Sequence, residues 1–127
     1  MCGFFGSFNI KRKLNLNLLK HRGPDSFGYY EDEYLYLGFC RLKIIDLSDK
    51  ANQPMEFDNL VMAFNGEIYN FLELKRELKE YKFKTSSDSE VLLYTFHKFG
   101  VLKALSKIAG MFSIVLYDKN EKKIYLI

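Results

Sequence analysis

Blocks of apolar residues along this chain predict strands near both ends and helices between them. Residues 2–10 are apolar or small and predict a buried first strand, and residues 34–45 are rich in aromatic and branched apolar side chains that favour another. Residues 60–64 predict a third strand. We expect it to end in a turn at Asn65 and Gly66, because both residue types tolerate positive φ.

Helical spacing replaces the strand pattern in the middle of the chain. Residues 70–81 predict a helix, with Asn70 as its N-cap and apolar side chains recurring on one face. Ser87 and Glu90 stand at the spacing of a capping box and predict the start of a second helix. Gly100 suits the C-terminal stop of that helix.

The remaining segments complete an order of strands, helices and strands. Residues 101–109 predict a short helix, and residues 111–117 and 123–127 predict a hairpin of two strands. The leucine-rich residues 14–19 fit either a short helix or a continuation of the first strand. This order favours an α+β arrangement. The chain stops inside its last apolar run, from which we expect a truncated unit.

Length and composition predict one packed domain over residues 1–127. The chain has 48% hydrophobic and 17% aromatic residues, too many for a disordered segment. The net charge is only +3, with acidic and basic residues interspersed, which argues against a nucleic-acid or anionic-membrane partner. The N-terminus does not resemble a signal peptide and no apolar run could span a bilayer, so the expected location is the cytoplasm.

The cysteines and histidines do not predict a metal site. The chain has two of each, Cys2 and Cys40 with His21 and His97, and none has the spacing typical of zinc ligands. We therefore expect no metal ligand set in this chain.

Cys2 directly follows Met1, which gives it a second possible role. Removal of the methionine would leave Cys2 with a free α-amine, which titrates near 7.7–8.0 and can act as a base for the thiol of the same residue. The simpler interpretation is a small apolar residue in a strand. Cys2 alone does not decide between the two.

Six short motifs favour the catalytic interpretation. They are Met-Cys-Gly-Phe-Phe-Gly at 1–6, His-Arg-Gly-Pro-Asp at 21–25, Arg-Leu at 41–42, Asn-Gly-Glu-Ile-Tyr-Asn at 65–70, Ser-Asp-Ser-Glu at 87–90 and Gly-Met-Phe at 110–112. In this order they resemble class II glutamine amidotransferases, and among these the N-terminal domain of asparagine synthetases. The resemblance implies the four-layer αββα sandwich of N-terminal-nucleophile hydrolases, incomplete at its C-terminus.

The same resemblance implies a reaction and a set of site residues. Cys2 would attack the side-chain amide of glutamine, form a thioester and release ammonia, after which water would release glutamate. Asn65 and Gly66 would form the oxyanion hole, although the pair also suits a structural hairpin. Arg41 would bind the substrate carboxylate and Asp88 its ammonium, with the start of a helix favouring the ionised form of Asp88. Further glutamine contacts are implied at Leu42, Ile44, Ile45 and Glu67.

Two of these site residues also have plainer structural interpretations. Arg41 could be a charge on an edge strand, and Asp88 could be an ordinary residue of a first helical turn.

His21, Arg22 and Asp25 suggest a structural network around the site. Lys43 stands where the family commonly carries a serine.

The resemblance also sets cofactor and partner expectations. The chain contains no Ser-Gly-Gly-x-Asp run for ATP, so we expect no cofactor here; ATP and Mg²⁺ would belong to an absent synthetase domain. The expected partners are glutamine and a separate synthetase chain or domain. Two alternatives are an inactive glutamine-binding or interaction remnant of a truncated synthetase, and a fragment that does not fold alone and offers its last strand for pairing.

Overall fold

Two antiparallel sheets lie face to face in the computed structural model, which describes residues 2–10, 12–13 and 15–127. The strands are β1 (Gly3–Phe8), β2 (Ser26–Glu31), β3 (Leu35–Arg41), β4 (Met55–Phe57), β5 (Leu60–Ile68), β6 (Gly110–Asp118) and β7 (Lys123–Leu126). The helices are α1 (Phe71–Glu77), α2 (Asp88–Phe99) and α3 (Val101–Leu105), with 3-10 turns at Leu16–Leu19 and Asp49–Ala51. The smaller sheet has the order β1-β3-β2 and the larger β4-β5-β6-β7.

The first half of strand β5, residues 60–64, is buried on both faces, with alternate side chains pointing in opposite directions. Val61 and Ala63 pack between the two sheets, against Phe39 of β3. Met62 and Phe64 point the other way and pack with the buried face of α2. The molecule therefore has one core between the sheets and a second between the larger sheet and the helices, as the α+β prediction requires.

A short 3-10 turn covers the outer face of the smaller sheet. Leu16–Leu19 packs on β3, where a Cβ at Gly38 would lie 2.5 Å from the Leu16 side chain. Within the leucine-rich segment, Leu16–Leu19 thus form a short helix rather than an extension of β1; Leu14 lies outside the described residues. The layer order is thus helix, sheet, sheet, helix, with the layer on the smaller sheet reduced to one 3-10 turn.

The first predicted helix starts after Asn70, as expected, but it is shorter and lacks the expected side-chain cap. It ends at Glu77, and Asn70 makes no side-chain capping bond. The Asn70 amide instead donates to the Lys107 carbonyl at 2.8 Å and accepts from the Ala109 N–H at 2.9 Å. The Asn70 side chain therefore bonds to residues distant in sequence and does not cap α1.

The prediction of a turn at Asn65 and Gly66 is wrong. β5 continues to Ile68, and Asn65 and Gly66 pair with Ser113 and Phe112 of β6. Gly66 has φ 156°, and a Cβ on it would lie only 2.0 Å from the Met111 carbonyl oxygen. The glycine is needed for close approach of two strands rather than for a hairpin.

Other boundaries match more closely. Ser87 caps α2 by accepting from the Glu90 N–H, and Gly100, with φ 73°, ends that helix. β6 and β7 form the expected hairpin. β3 ends at Arg41 rather than at residue 45, and β2 and β4 were not predicted. In the described part of the chain, no helix has the length and apolar character needed to cross a membrane.

Candidate active site

The Cys2 sulfur lies at the end of the smaller sheet, against the chain that leaves β3. The pairing of Gly3 with Cys40 brings the residue before Gly3 beside this end. The Leu42 backbone N–H donates to the Cys2 Sγ at 3.3 Å, and the thiol faces the Leu42 carbonyl at 3.7 Å. Cys2 as a residue is half-buried, and its contact with Leu42 orients the sulfur.

Arg41 is a buried residue of the central strand β3, so its interpretation as an edge-strand charge is wrong. Its Nη1 donates to the Ser48 carbonyl at 2.8 Å and to the Asn52 side chain at 2.9 Å. Its Nη2 donates to the Asp46 carbonyl and, at 3.5 Å, to the Ile45 carbonyl. The guanidinium therefore holds the loop after β3 in place.

Asp25 fixes the same end of β3 from the other side. Its N–H donates to the Arg41 carbonyl at 3.0 Å, and its carboxylate accepts from the Lys43 N–H at 2.8 Å. Gly23 is buried beside this contact, and a Cβ on it would lie 2.3 Å from the Cys40 carbonyl oxygen. Asp25 thus has a structural role at the site, as the sequence suggested.

The Lys43 side chain turns to a neighbour in the loop. Its ammonium pairs with the Asp49 carboxylate at 2.7 Å. This pair lowers the pKa of Asp49. The Lys43 ammonium thus has a counter-ion within the same loop.

Asn65 and Gly66 lie in the second half of β5. Asn65 is half-buried, and by alternation it shares the inner face with Val61 and Ala63. The buried Gln53 side chain fixes the preceding residue, because its amide accepts from the Phe64 N–H at 2.6 Å and donates to the Phe64 carbonyl at 3.0 Å. Sequence reasoning missed Gln53, and a lone glutamine before a proline gives no signal for such a role.

Asp88 lies against the end of the same strand. Its carboxylate accepts from the Ile68 N–H at 3.0 Å. Burial raises the pKa of Asp88, although hydrogen bonds from the Ile68 and Ser89 backbone oppose this; the nearby Glu67 charge raises it further. The backbone N–H groups at the helix start do favour the ionised form, as expected, but desolvation outweighs them and the pKa is raised overall.

One residue connects the Arg41 loop to the start of α2. The Asp46 carboxylate accepts from the Ser86 N–H at 2.7 Å, and Ser86 comes two residues before Asp88. β1 also lies against β5 across the inner core. The structure thus brings together Cys2 with Leu42, and Asp88 with Glu67, and links the two groups through Asp46, a residue that sequence reasoning missed.

Some predicted features fall at the edge of this arrangement. The Ile44 side chain is exposed, and Ile45 contributes its carbonyl to Arg41. The α-amine predicted as the base depends on residue 1, which lies outside the described residues. An apolar cavity of about 460 Å³ between β1 and β7 includes none of the predicted site residues.

Comparison with known proteins identifies relatives over the whole chain. A family model described as "Glutamine amidotransferase domain" matches residues 1–127. Asparagine synthetase [glutamine-hydrolyzing] 1 of Bacillus subtilis is 41% identical over 98% of this chain, which corresponds to 22% of that protein. Asparagine synthetase B [glutamine-hydrolyzing] of Escherichia coli is 41% identical over 100% of this chain and 24% of its own length. The chain thus spans about a quarter or less of these relatives.

A solved structure shares the fold. Glutamine phosphoribosylpyrophosphate amidotransferase from B. subtilis superimposes with a TM-score of 0.55 and 25% sequence identity, covering 67% of this chain and 21% of that one. The α+β arrangement of two antiparallel sheets is therefore that of a known amidotransferase.

Proposed function

The chain belongs to the glutamine amidotransferase domain family, and we propose that it hydrolyses glutamine to glutamate and ammonia with Cys2 as the nucleophile. The observation that carries the proposal is the hydrogen bond from the Leu42 N–H to the Cys2 Sγ at 3.3 Å. It holds the only half-exposed thiol of the described residues beside Arg41, the residue proposed to recognise the substrate.

The first step forms a thioester. After removal of Met1, the α-amine of Cys2 takes the thiol proton, and the sulfur attacks the side-chain amide carbon of glutamine. The amine then gives that proton to the amide nitrogen, the carbon–nitrogen bond breaks, and ammonia leaves. In the second step the amine takes a proton from water as the water oxygen attacks the thioester. The carbon–sulfur bond breaks, the protonated amine returns its proton to the sulfur, and glutamate leaves the regenerated Cys2 thiol.

Both tetrahedral intermediates carry a negative oxygen that needs fixed donors. We assign this task to the side-chain amide of Asn65 and the backbone N–H of Gly66. The close packing of Gly66 on Met111 and the hold of Gln53 on Phe64 support the assignment, because both rigidify β5 at this point. Donors that are held before the reaction begins stabilise the transition state without reorganisation.

The substrate carboxylate is assigned to Arg41 and to the loop that it holds. The guanidinium already donates to the loop, and its weakest bond is the one to Ile45 at 3.5 Å. A substrate carboxylate that replaces the Ile45 carbonyl would accept hydrogen bonds from Nη2 and Nε, which form one edge of the planar guanidinium. The backbone of Leu42, Ile44 and Ile45 would line the same end of the substrate.

The substrate ammonium is assigned to Asp88, with Glu67 beside it. Asp88 is buried, and its charged form is only partly compensated by backbone hydrogen bonds, so an arriving ammonium would stabilise a carboxylate that burial disfavours. Two opposite charges at fixed positions would select an amino acid by its head group.

These steps use only water and groups of the chain itself. We propose that the ammonia is used by a synthetase domain or separate chain, which would bind ATP and Mg²⁺. The names of the relatives support this, since those proteins are glutamine-hydrolysing asparagine synthetases of about four times the length or more.

A glutaminase assay on the purified chain, read beside its intact mass, tests the proposal. We expect turnover in protein that has lost Met1 and none in Cys2→Ala. Cys40 offers a matched control, because it is a buried thiol on the opposite face of the sheet, against Leu16. Cys40→Ala should keep its activity. Glutamine binding without turnover in processed wild type would instead favour the inactive binding remnant.

A further inference from the structure

Asp46 makes hydrogen bonds with both halves of the proposed amino-acid site. Its main-chain carbonyl accepts from Nη2 of Arg41. One carboxylate oxygen accepts from the Ser48 N–H at 2.8 Å, and the other accepts from the Ser86 N–H at 2.7 Å and the Ser86 hydroxyl at 3.2 Å. Ser86 directly precedes Ser87, the N-cap of α2, and Asp88 is the first residue of that helix.

The backbone of Asp46 is held in an uncommon conformation. Its φ is 61°, in the left-handed region that aspartate visits more readily than most residues, because its short side chain can bond locally. In this conformation one residue offers its carbonyl to Arg41 and its carboxylate to Ser86. Such outliers persist where the surrounding contacts hold them and are often found at binding sites.

We propose that Asp46 is a positioning residue that sets the spacing between Arg41 and Asp88, and so between the carboxylate and ammonium contacts of the substrate. The inference rests on the proposed function. The two substrate charges are attached to a single carbon atom, so their partners must keep a fixed separation. A displacement of about 1 Å in such a contact is costly in binding and orientation.

The electrostatics of Asp46 support a persistent link. Hydrogen bonds from Ser48 and Ser86 hold the pKa of the Asp46 carboxylate well below its usual range. The carboxylate therefore keeps both sets of contacts throughout the pH range in which the enzyme would work.

Asp46→Asn is the direct test. The amide has the shape of the carboxylate, but its NH₂ group would face a donor of Ser48 or Ser86 where the carboxylate oxygen accepts a hydrogen bond. With glutamine as substrate, we expect KM to rise about tenfold and kcat to stay within about twofold. The reacting amide would still be held by Cys2, Asn65 and Gly66. A purely structural role would lower the amount of folded protein without this split.

A second readout uses glutaramate, which is glutamine without its α-ammonium. Wild type should prefer glutamine strongly, because only glutamine engages both charged partners. In Asp46→Asn the ratio of kcat/KM for glutamine over glutaramate should fall severalfold, since the two partners no longer keep the spacing that glutamine needs.

Asp58→Asn is the matched control. Asp58 also has positive φ, 52°, but lies in the turn before β5, at the other end of that strand from Asn65. It should leave KM, kcat and the substrate ratio unchanged. If Asp46→Asn does not fold, Ser86→Ala removes only the 3.2 Å bond and should raise KM two- to threefold.

The outcomes separate this inference from the proposed function. Active wild type with unchanged KM and substrate ratio in Asp46→Asn, or in Ser86→Ala if that variant has to be used, would overturn the inference and leave the proposed function standing. A fall in kcat at constant KM would also overturn it. Processed wild type without glutaminase activity would overturn both.

Discussion

The Asp88 carboxylate accepts a hydrogen bond from the Ile68 N–H at 3.0 Å, which joins the start of α2 to the end of β5. This contact places the proposed ammonium partner beside the strand that carries Asn65 and Gly66. It also buries the carboxylate, and burial raises its pKa.

Substrate binding should therefore weaken in mild acid. An ammonium needs the ionised form of Asp88, and a raised pKa means that this form is lost as pH falls, starting above the ordinary aspartate value of about 3.9. Calorimetric titration of glutamine into Cys2→Ala from pH 7 to pH 4 should show rising Kd. A Kd that stays constant over this range would contradict the assignment.

Asp88→Asn should separate binding from stability. At pH 7 we expect about tenfold weaker glutamine binding, or about 1.4 kcal/mol, and little further change in acid. A raised pKa in the folded state means that the ionised group opposes folding as pH rises through that pKa. The neutral amide removes this cost and can still accept from Ile68, so urea denaturation should give an undiminished free energy of unfolding.

Arg41→Lys should impair both the loop and the substrate site. Lysine keeps the charge, but its single nitrogen cannot span the acceptors of Ser48, Asn52 and Asp46 that the two guanidinium nitrogens reach. We expect part of these half-buried hydrogen bonds to be lost, at about 0.5–1.5 kcal/mol each. We expect at least a tenfold rise in KM and a lower midpoint of urea denaturation. Arg76→Lys, on the exposed face of α1, is the control and should change neither quantity.

Gly66→Ala should lower kcat, because a Cβ would lie 2.0 Å from the Met111 carbonyl oxygen and β5 would have to shift from β6. We expect at least a tenfold loss in kcat, with a loss of stability of about 1–3 kcal/mol. Gly100→Ala is the control. Its expected loss of stability is similar, about 1–3 kcal/mol, because alanine is strained at the φ of 73° that residue 100 adopts. It lies far from the site, and its kcat should not change. Equal kcat in both variants would remove Gly66 from the oxyanion hole.

Gln53→Ala should destabilise the fold beside the oxyanion hole. It leaves the N–H and C=O of Phe64 without their side-chain partner, at about 1–3 kcal/mol for each buried group. Urea denaturation should show a loss of at least about 2 kcal/mol. Asn120→Ala, in the exposed turn after β6, should show almost none. If Gln53→Ala lost as little stability as Asn120→Ala, water would have to replace the Gln53 amide as the partner of Phe64.

Sequence predicted the features that depend on neighbouring residues. Ser87 caps α2 and Gly100 ends it, because capping and positive φ are properties of a few consecutive residues. The hairpin of β6 and β7 is predictable for the same reason. The order of the motifs, and with it the family, could also be read from the chain alone.

Features that depend on distant partners could not be predicted. Pairing with the neighbouring strand β6 keeps Asn65 and Gly66 in an extended strand where a turn was predicted. The Asn70 side chain donates to the Lys107 carbonyl and therefore does not cap α1. The link from Asp46 to Ser86 spans forty residues, so the sequence around Asp46 gives no indication of it. Burial of Asp88 against β5 likewise reversed the pKa direction expected from its helix position.

The most direct test of the account is the site of covalent trapping by a glutamine analogue with an electrophilic carbon in place of the amide. Intact mass and peptide mapping of the processed chain should show one adduct, on Cys2, that excess glutamine prevents, with Cys40 unmodified. An adduct on Cys40, or none on Cys2 in folded chain lacking Met1, would contradict the assignment of Cys2 as the nucleophile.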